Sequence, residues 1–172
     1  GAVAEKCKAI GDFAILVNNV GIGQGTADCL ENLPTDRLEQ MVTVNCTYPL
    51  LLTQKLLPQL KQRQHRSAIL NISSVTAHLH YPYGTTYAAT KAFNRSFSVS
   101  LAGECVKNEI DVLSVEPGWV ATNMTKLSKG LLVCDAEECA RGALQQLGYV
   151  SAIPHWKHFV MLNGIRCVTL WL

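Results

Sequence analysis

Tyr87 and Lys91 stand four residues apart in the run Tyr87-Ala-Ala-Thr-Lys91, and Ser74 stands thirteen residues before the tyrosine. On a helix, positions i and i+4 share a face, so the ammonium of Lys91 can reach up beside the Tyr87 phenol. An unperturbed phenol has a pKa of about 10 and shuttles protons poorly near neutrality; a neighbouring cation favours the phenolate and makes the pair useful as a general acid. Ser74 would then hold the oxygen that Tyr87 protonates. A tyrosine four before a lysine is by itself an ordinary surface pair. Requiring a serine at the fixed upstream spacing lowers the chance expectation of the triplet to on the order of 0.01 per chain of this composition.

The elements that must position these residues alternate. Three short β-branched runs, at 14–18, 68–72 and 111–115, read as strands buried on both faces. Between the first two lies a helix-length stretch at 35–62, with Leu38, Met41, Val42, Asn45, Leu52, Leu56 and Leu60 at helical spacing and Thr35 as its N-cap. Pro49 and Pro58 predict a bend in it. A second helix at 85–107 carries Tyr87 and Lys91 in its first turns and turns Phe93, Phe97 and Leu101 to the core. A further short helix is expected at 134–147. Strand, helix, strand, helix, strand predicts an α/β fold with a doubly wound parallel sheet. In such sheets ligands sit beyond the carboxyl ends of the strands, where the chain places Asn18-Asn19-Val20-Gly21, Ser73-Ser74 and Glu116-Pro117-Gly118.

Composition narrows the function classes. The chain has 172 residues, 48% of them hydrophobic and 16% charged, which is one globular domain's worth. A net charge of +2 without a dense basic run gives no electrostatic footprint for nucleic acid. Seven scattered cysteines with no C-x-x-C pair indicate neither a disulfide framework nor a zinc site, and fit reduced thiols in a cytosol-facing compartment. The five histidines lack partners at metal spacing and read as ordinary polar residues. There is no leader pattern and no apolar stretch of about 18 residues. Gly1 at the start and the apolar run at 168–172 at the finish read as cut ends, so a fragment of a longer protein is expected.

Taken together, Asn18-Asn19-Val20-Gly21, Asn45, Asn71-Ile72-Ser73-Ser74, Tyr87-x-x-x-Lys91 and Pro117-Gly118-x-x-x-Thr122 resemble the short-chain dehydrogenase/reductases in order and spacing over residues 10–125. The resemblance implies a Rossmann-like sheet, a nicotinamide cofactor and a catalytic tetrad of Asn45, Ser74, Tyr87 and Lys91. Tyr87 would donate a proton to a carbonyl. Lys91 would tune Tyr87 and bind the nicotinamide ribose, Ser74 would orient the carbonyl, and Asn45 would support a water-linked relay. Asn18, Asn19, Gly21, Pro117, Gly118 and Thr122 would contact the cofactor, NADP(H) by preference with NAD(H) open, and no metal is required.

One departure is large: the family's glycine-rich phosphate loop, which follows its first strand, has no counterpart. Gly21-Ile-Gly-Gln-Gly25 is no substitute, because it follows the Asn-Asn-x-Gly strand and no helix start comes directly behind it. The chain is therefore expected to be a single partial domain over 1–172, missing its first strands and poorly defined over 148–172. Within the family, Leu16-Val-Asn-Asn-Val-Gly21, Asn71-Ile-Ser-Ser74 and Thr90-Lys-Ala-Phe93 look most similar to the 17β-hydroxysteroid dehydrogenase and very-long-chain 3-oxoacyl-CoA reductase branch. That similarity implies a lipid ketone substrate, an endoplasmic reticulum membrane location through a segment not in this chain, and possible homodimers formed through the Tyr-Lys helix. Expected substrate-facing positions are the loop 75–86, with His78, Tyr81 and Tyr83, and the segment after Met124, with Leu127, Leu131 and Leu132. The alternatives are a non-catalytic fragment unable to bind cofactor and a soluble small-carbonyl reductase.

Overall fold

A computed structural model describes residues 2–169, with side chains described through Gly164; the expectation for 168–172 and for Gly1 falls wholly or partly outside this range. In chain order the elements are α1 (Ala2–Ala9), β1 (Ile15–Asn18), α2 (Thr35–Val42), α3 (Tyr48–Lys61), β2 (Ser67–Ile72), α4 (Thr85–Cys105), β3 (Ile110–Val115), β4 (Val120–Ala121), β5 (Cys134–Asp135), α5 (Ala136–Gln145), β6 (Ser151–Ala152) and α6 (Trp156–Thr169). The three β-branched runs become the parallel strands β1, β2 and β3, and β6 joins them in the order β1-β2-β3-β6. Helices cover both faces, as expected of an α/β sheet. On one face Leu16, Ile69 and Val112 pack against Leu56 and Leu60 of α3 and Leu101 and Cys105 of α4; on the other, Ala68, Leu70, Leu113 and Val115 meet Ala143 of α5.

Five local expectations are corrected. β1 is buried on one face only: Leu16 is 7% exposed, but its neighbours Ile15 and Val17 are 45% and 50% exposed. It is the edge strand, and side chains alternate faces along it, so the face that α5 covers on β2 and β3 stays open here. Thr35 is the first helical residue of α2 rather than its cap; Pro34 precedes it in extended conformation and makes no side-chain cap. The prolines do not end the stretch: α2 passes through a π-helical segment, Thr43–Thr47, directly into α3, Pro49 follows that segment, and α3 runs on through Pro58. Val42, expected on the buried side, is exposed.

The fifth concerns α4, which ends at Cys105 and passes into a 3₁₀ turn, Val106–Asn108. Its buried face is largely polar: Thr90, Lys91, Asn94 and Ser98 are buried ahead of Leu101 and Ala102. Phe93 is exposed and Phe97 half-buried, their rings stacked at 6.1 Å between centroids. The polar face has polar partners, since Asn71 of β2 donates to Ser98 Oγ at 2.9 Å and Ser98 Oγ donates to the Asn94 carbonyl at 2.7 Å.

At the carboxyl ends of the strands, Asn18, Asn71 and Ser114 stand in register. Asn18 Nδ2 donates to Asn71 Oδ1 at 2.7 Å and to Thr53 Oγ1 at 2.9 Å. This row of short polar side chains fixes where the three loops leave the sheet. The helix expected at 134–147 is α5, capped by Asp135 and Glu138 in a reciprocal capping box.

Candidate active site

Ser74 lies two residues beyond β2, in extended conformation, and its Oγ accepts from the Thr76 N–H at 3.2 Å to cap the 3₁₀ turn Val75–His78. Tyr87 and Lys91 sit in the first two turns of α4, as their spacing predicts. Lys91 is 5% exposed, its Nζ 5.6 Å from the centroid of the Tyr87 ring and 2.8 Å from the Ile72 carbonyl oxygen, to which it donates. Ser73 Oγ donates to the Lys91 carbonyl at 2.7 Å, so strand and helix are stitched from both sides.

Burial decides the electrostatics of this pair. Withdrawal from water holds the Lys91 ammonium down to about 8, with a nearby Cys46 opposing the drop. The Tyr87 phenol is raised, again chiefly by burial; a hydrogen bond with the Ser74 side chain pulls it down and Tyr81 pushes it up. The expectation that Lys91 lowers Tyr87 is therefore not met here. The ammonium is directed at the Ile72 carbonyl rather than at the phenol oxygen, and desolvation outweighs the remainder.

Asn45 lies in the π-helical segment, whose extra residue per turn swings its amide toward the loop after β1. Its Oδ1 accepts from the Ile22 N–H at 2.8 Å, and its Nδ2 donates to the Ile22 carbonyl at 2.9 Å and to Thr90 Oγ1 at 3.0 Å. Thr90 in turn donates to the Tyr87 carbonyl at 2.8 Å. Asn45 thus joins the Asn-Asn-Val-Gly loop to the helix that carries Tyr87. Gly21 lies close to both side chains: a Cβ there would stand 3.3 Å from Asn45 Oδ1, a tight contact, and 3.5 Å from Lys91 Nζ.

Ser74, Tyr87 and Gly118 face one cleft of about 310 Å³, whose walls include Gln24, Thr26, Leu79, Tyr81, Tyr83, Trp119, Met124 and Met161. Asn45 and Lys91 are buried behind it. Asn18 and Asn19 instead line a second, apolar groove of about 640 Å³ with Val17, Val20, Val44, Tyr48 and Leu52. Pro117 uses its carbonyl to accept from Val75 N–H at 3.0 Å, and Thr122 is exposed at the head of a turn closed by Lys126. Of the expected substrate-facing residues, Tyr81 and Tyr83 line the cleft; Leu127, Leu131 and Leu132 do not, because the segment after Met124 turns outward. His78 is held by Glu116.

Met161 and the loop residues Gln24, Thr26 and Ala27 were not legible as cleft residues from spacing. They reach it only because α6 folds back over Gly118, where a Cβ would come within 2.4 Å of Met161 Cε, and because Gln24 Nε2 donates to the Tyr83 carbonyl at 2.7 Å. Among the histidines, His158 is fully buried, its Nε2 3.0 Å from the Trp119 carbonyl oxygen, which corrects its reading as an ordinary polar residue.

The residues fit the nicotinamide end of a dinucleotide: Lys91 offers a buried donor beside Gly21, where a glycine leaves the approach open. No phosphate cradle stands beside them among the described residues; Gly23, Gln24 and Gly25 face the cleft, and the next helical residues are the 3₁₀ turn Leu30–Asn32. No described helix is long and apolar enough to cross a membrane.

Comparison with known proteins extends the pattern. Residues 1–130 match the family model described as short chain dehydrogenase. A serine 3-dehydrogenase of Rhizobium radiobacter is 40% identical over 119 residues, 69% of this chain and 47% of that protein. A very-long-chain 3-oxoacyl-CoA reductase of Kluyveromyces lactis is 31% identical over 168 residues, 88% of this chain and 49% of that one. The chain spans about half the length of these curated relatives. In structure it superposes on a 3-ketoacyl-(acyl-carrier-protein) reductase from Brucella melitensis, solved with NADH, with a TM-score of 0.78 and 25% identity, covering 88% of this chain and 69% of that one. A short-chain dehydrogenase from Sphingobium yanoikuyae, solved with NADPH, gives 0.77 at 25% identity, over 98% of this chain and 69% of that one. Agreement of this extent in sequence and in fold at once makes the chain a member of the short chain dehydrogenase family.

Proposed function

We propose that this chain supplies the reacting half of an oxidoreductase that exchanges hydride between NADP(H) and a lipid ketone or alcohol of the 3-oxoacyl-CoA or 17-ketosteroid type, whose apolar body, the acyl chain or the steroid rings, enters the cleft. The carrying observation is the lining of the cleft. Tyr81, Tyr83, Trp119, Leu79, Met124 and Met161 surround the Ser74 and Tyr87 hydroxyls, and among the described residues no Lys, Arg, Asp or Glu lines it. A zwitterionic amino acid such as serine would enter such a site with both charges unpaired, at a cost of several kcal/mol. An acyl chain or steroid ring would be favoured by about 25 cal/mol for each Å² of apolar surface buried.

The chain's own residues then divide the work. Ser74 and Tyr87 hold the carbonyl oxygen between two hydroxyls, and Tyr87 delivers its proton to that oxygen as negative charge develops. Lys91, Tyr87, Pro117 and Gly118 would hold the nicotinamide ribose and ring, with Asn18, Asn19, Gly21 and Thr122 as outer contacts and Asn45 fixing the loop geometry. The cofactor supplies the hydride. By resemblance the protein belongs at the cytosolic side of the endoplasmic reticulum membrane. The half-open Phe93–Phe97 pair on α4 leaves apolar surface that a second copy could cover.

A second reading rests on the open face of β1 and the lack of a phosphate cradle beside Gly21: this chain alone binds no dinucleotide and is not catalytic. One experiment separates the two. NADPH oxidation is followed with a long-chain 3-oxoacyl-CoA, a 17-ketosteroid and a small aldehyde, in wild type and Tyr87→Phe. Turnover of the bulky ketones, lost in the variant, supports the proposal; turnover of the small aldehyde alone transfers the reading to a small-carbonyl reductase; no turnover with any of them overturns the proposal and supports the second reading.

A further inference from the structure

The carboxylate of Glu116 is 2% exposed and reaches four partners, one on β3, the strand it follows, and three on other parts of the fold. Its Oε2 is 2.5 Å from His78 Nε2, and its Oε1 accepts from Ser114 Oγ at 3.1 Å and Ser151 Oγ at 2.6 Å. Arg95 Nε stands 3.3 Å from Oε1 as an ion-pair partner without hydrogen-bond alignment. A buried charge survives only where its lone pairs are met, and here they are.

What these partners hold gives the cluster a role. Glu116 immediately precedes Pro117-Gly118, and its N–H is fixed in the sheet by the Ala152 carbonyl at 2.9 Å. Arg95 is one turn of α4 beyond Lys91. His78 ends the 3₁₀ turn that Ser74 begins and caps. The turn is therefore gripped at both ends, by Ser74 Oγ on Thr76 N–H and by Glu116 on the ring of His78, with Val75 N–H bonded to the Pro117 carbonyl between them.

We infer that the Glu116–His78 pair is a clamp that positions the Ser74 hydroxyl against Tyr87, with both as positioning residues rather than catalytic ones. The role rests on the reductase reading above. A clamp of this kind needs directionality: a carboxylate and an imidazole at 2.5 Å fix the turn in one register, where an apolar contact would let it slide. His78 is the link that can be cut without emptying the core, because Glu116 keeps Ser114, Ser151 and Arg95 when the ring is gone.

The test uses the full chain with His78→Ala and His78→Gln, the latter retaining a donor of similar reach. Three quantities are compared with wild type: the melting temperature, amide exchange over 75–79, and NADPH-dependent reduction of a long-chain 3-oxoacyl-CoA. For His78→Ala the expected results are exchange over 75–79 faster by about tenfold or more, and kcat lower by about tenfold with KM for NADPH within about twofold, while the melting temperature moves by only about 2–4 °C. His78→Gln is expected to recover most of both changes. Wild-type exchange and kcat in His78→Ala overturn the clamp, as does a general loss of melting temperature and exchange protection that glutamine does not rescue. If wild type reduces no ketone, the reductase reading falls by itself, and the exchange comparison still decides whether Glu116 holds the turn.

Discussion

Lys91 Nζ donates to the carbonyl oxygen of Ile72 at 2.8 Å, which binds the helix of Tyr87 to the end of the strand that leads into Ser74. The ammonium is buried to do this, and burial lowers its pKa from 10.5 to about 8. Between those values the unfolded chain holds a proton that the folded chain has released, so stability rises with pH across that window. The cost at neutral pH is at most about 3 kcal/mol. Denaturant midpoints of wild type and Lys91→Met should therefore diverge as pH rises from about 8 to 10.5, wild type gaining relative to the variant; parallel curves would contradict the buried-charge account.

Tyr87→Phe removes the hydroxyl that, in the proposed mechanism, gives its proton to the carbonyl oxygen. The variant should lose about 10²- to 10⁴-fold in ketone reduction while its fold and its NADPH binding persist. Turnover within a few-fold of wild type would take Tyr87 out of the mechanism.

Asn45→Ala deletes three hydrogen bonds and leaves both polar groups of Ile22 to find new partners, while the Thr90 hydroxyl keeps only its bond to the Tyr87 carbonyl. The expected destabilisation is about 2–4 kcal/mol, read as a lower denaturant midpoint at unchanged slope. A loss of activity exceeding the fraction unfolded would separate its effect on Tyr87, through Thr90, from its effect on stability.

Trp119 lines the cleft beside Gly118 and is half-exposed. Titration with NADPH should quench its emission, and Trp119→Phe should remove most of that signal despite the exposed Trp156. An unchanged spectrum at saturating NADPH would favour the reading in which this chain alone holds no dinucleotide.

Local signals carried the sequence reading a long way. The strands were legible because β-branched runs bounded by turns can do little else, and Tyr87 and Lys91 were legible because one turn of helix enforces their proximity. The Asp135 cap, which opens a helix expected only from its length, confirms the same rule: interactions within four or five residues are written in the chain itself. The edge position of β1 was not written there. Whether Ile15 and Val17 are covered depends on where α5 ends up across the sheet, and that is a property of packing. The same holds for the polar core face of α4, which is stable only because Asn71 meets Ser98 from another element. The direction of the Lys91 ammonium, the folding of Met161 over Gly118 and the meeting of His78 with Glu116, 38 residues away, likewise join distant segments. The sequence by itself determined which groups could transfer a proton and at what spacing along the chain. Only the tertiary structure decided how dry those groups are and what each one touches, because desolvation and long-range hydrogen bonds exist only once the chain has folded.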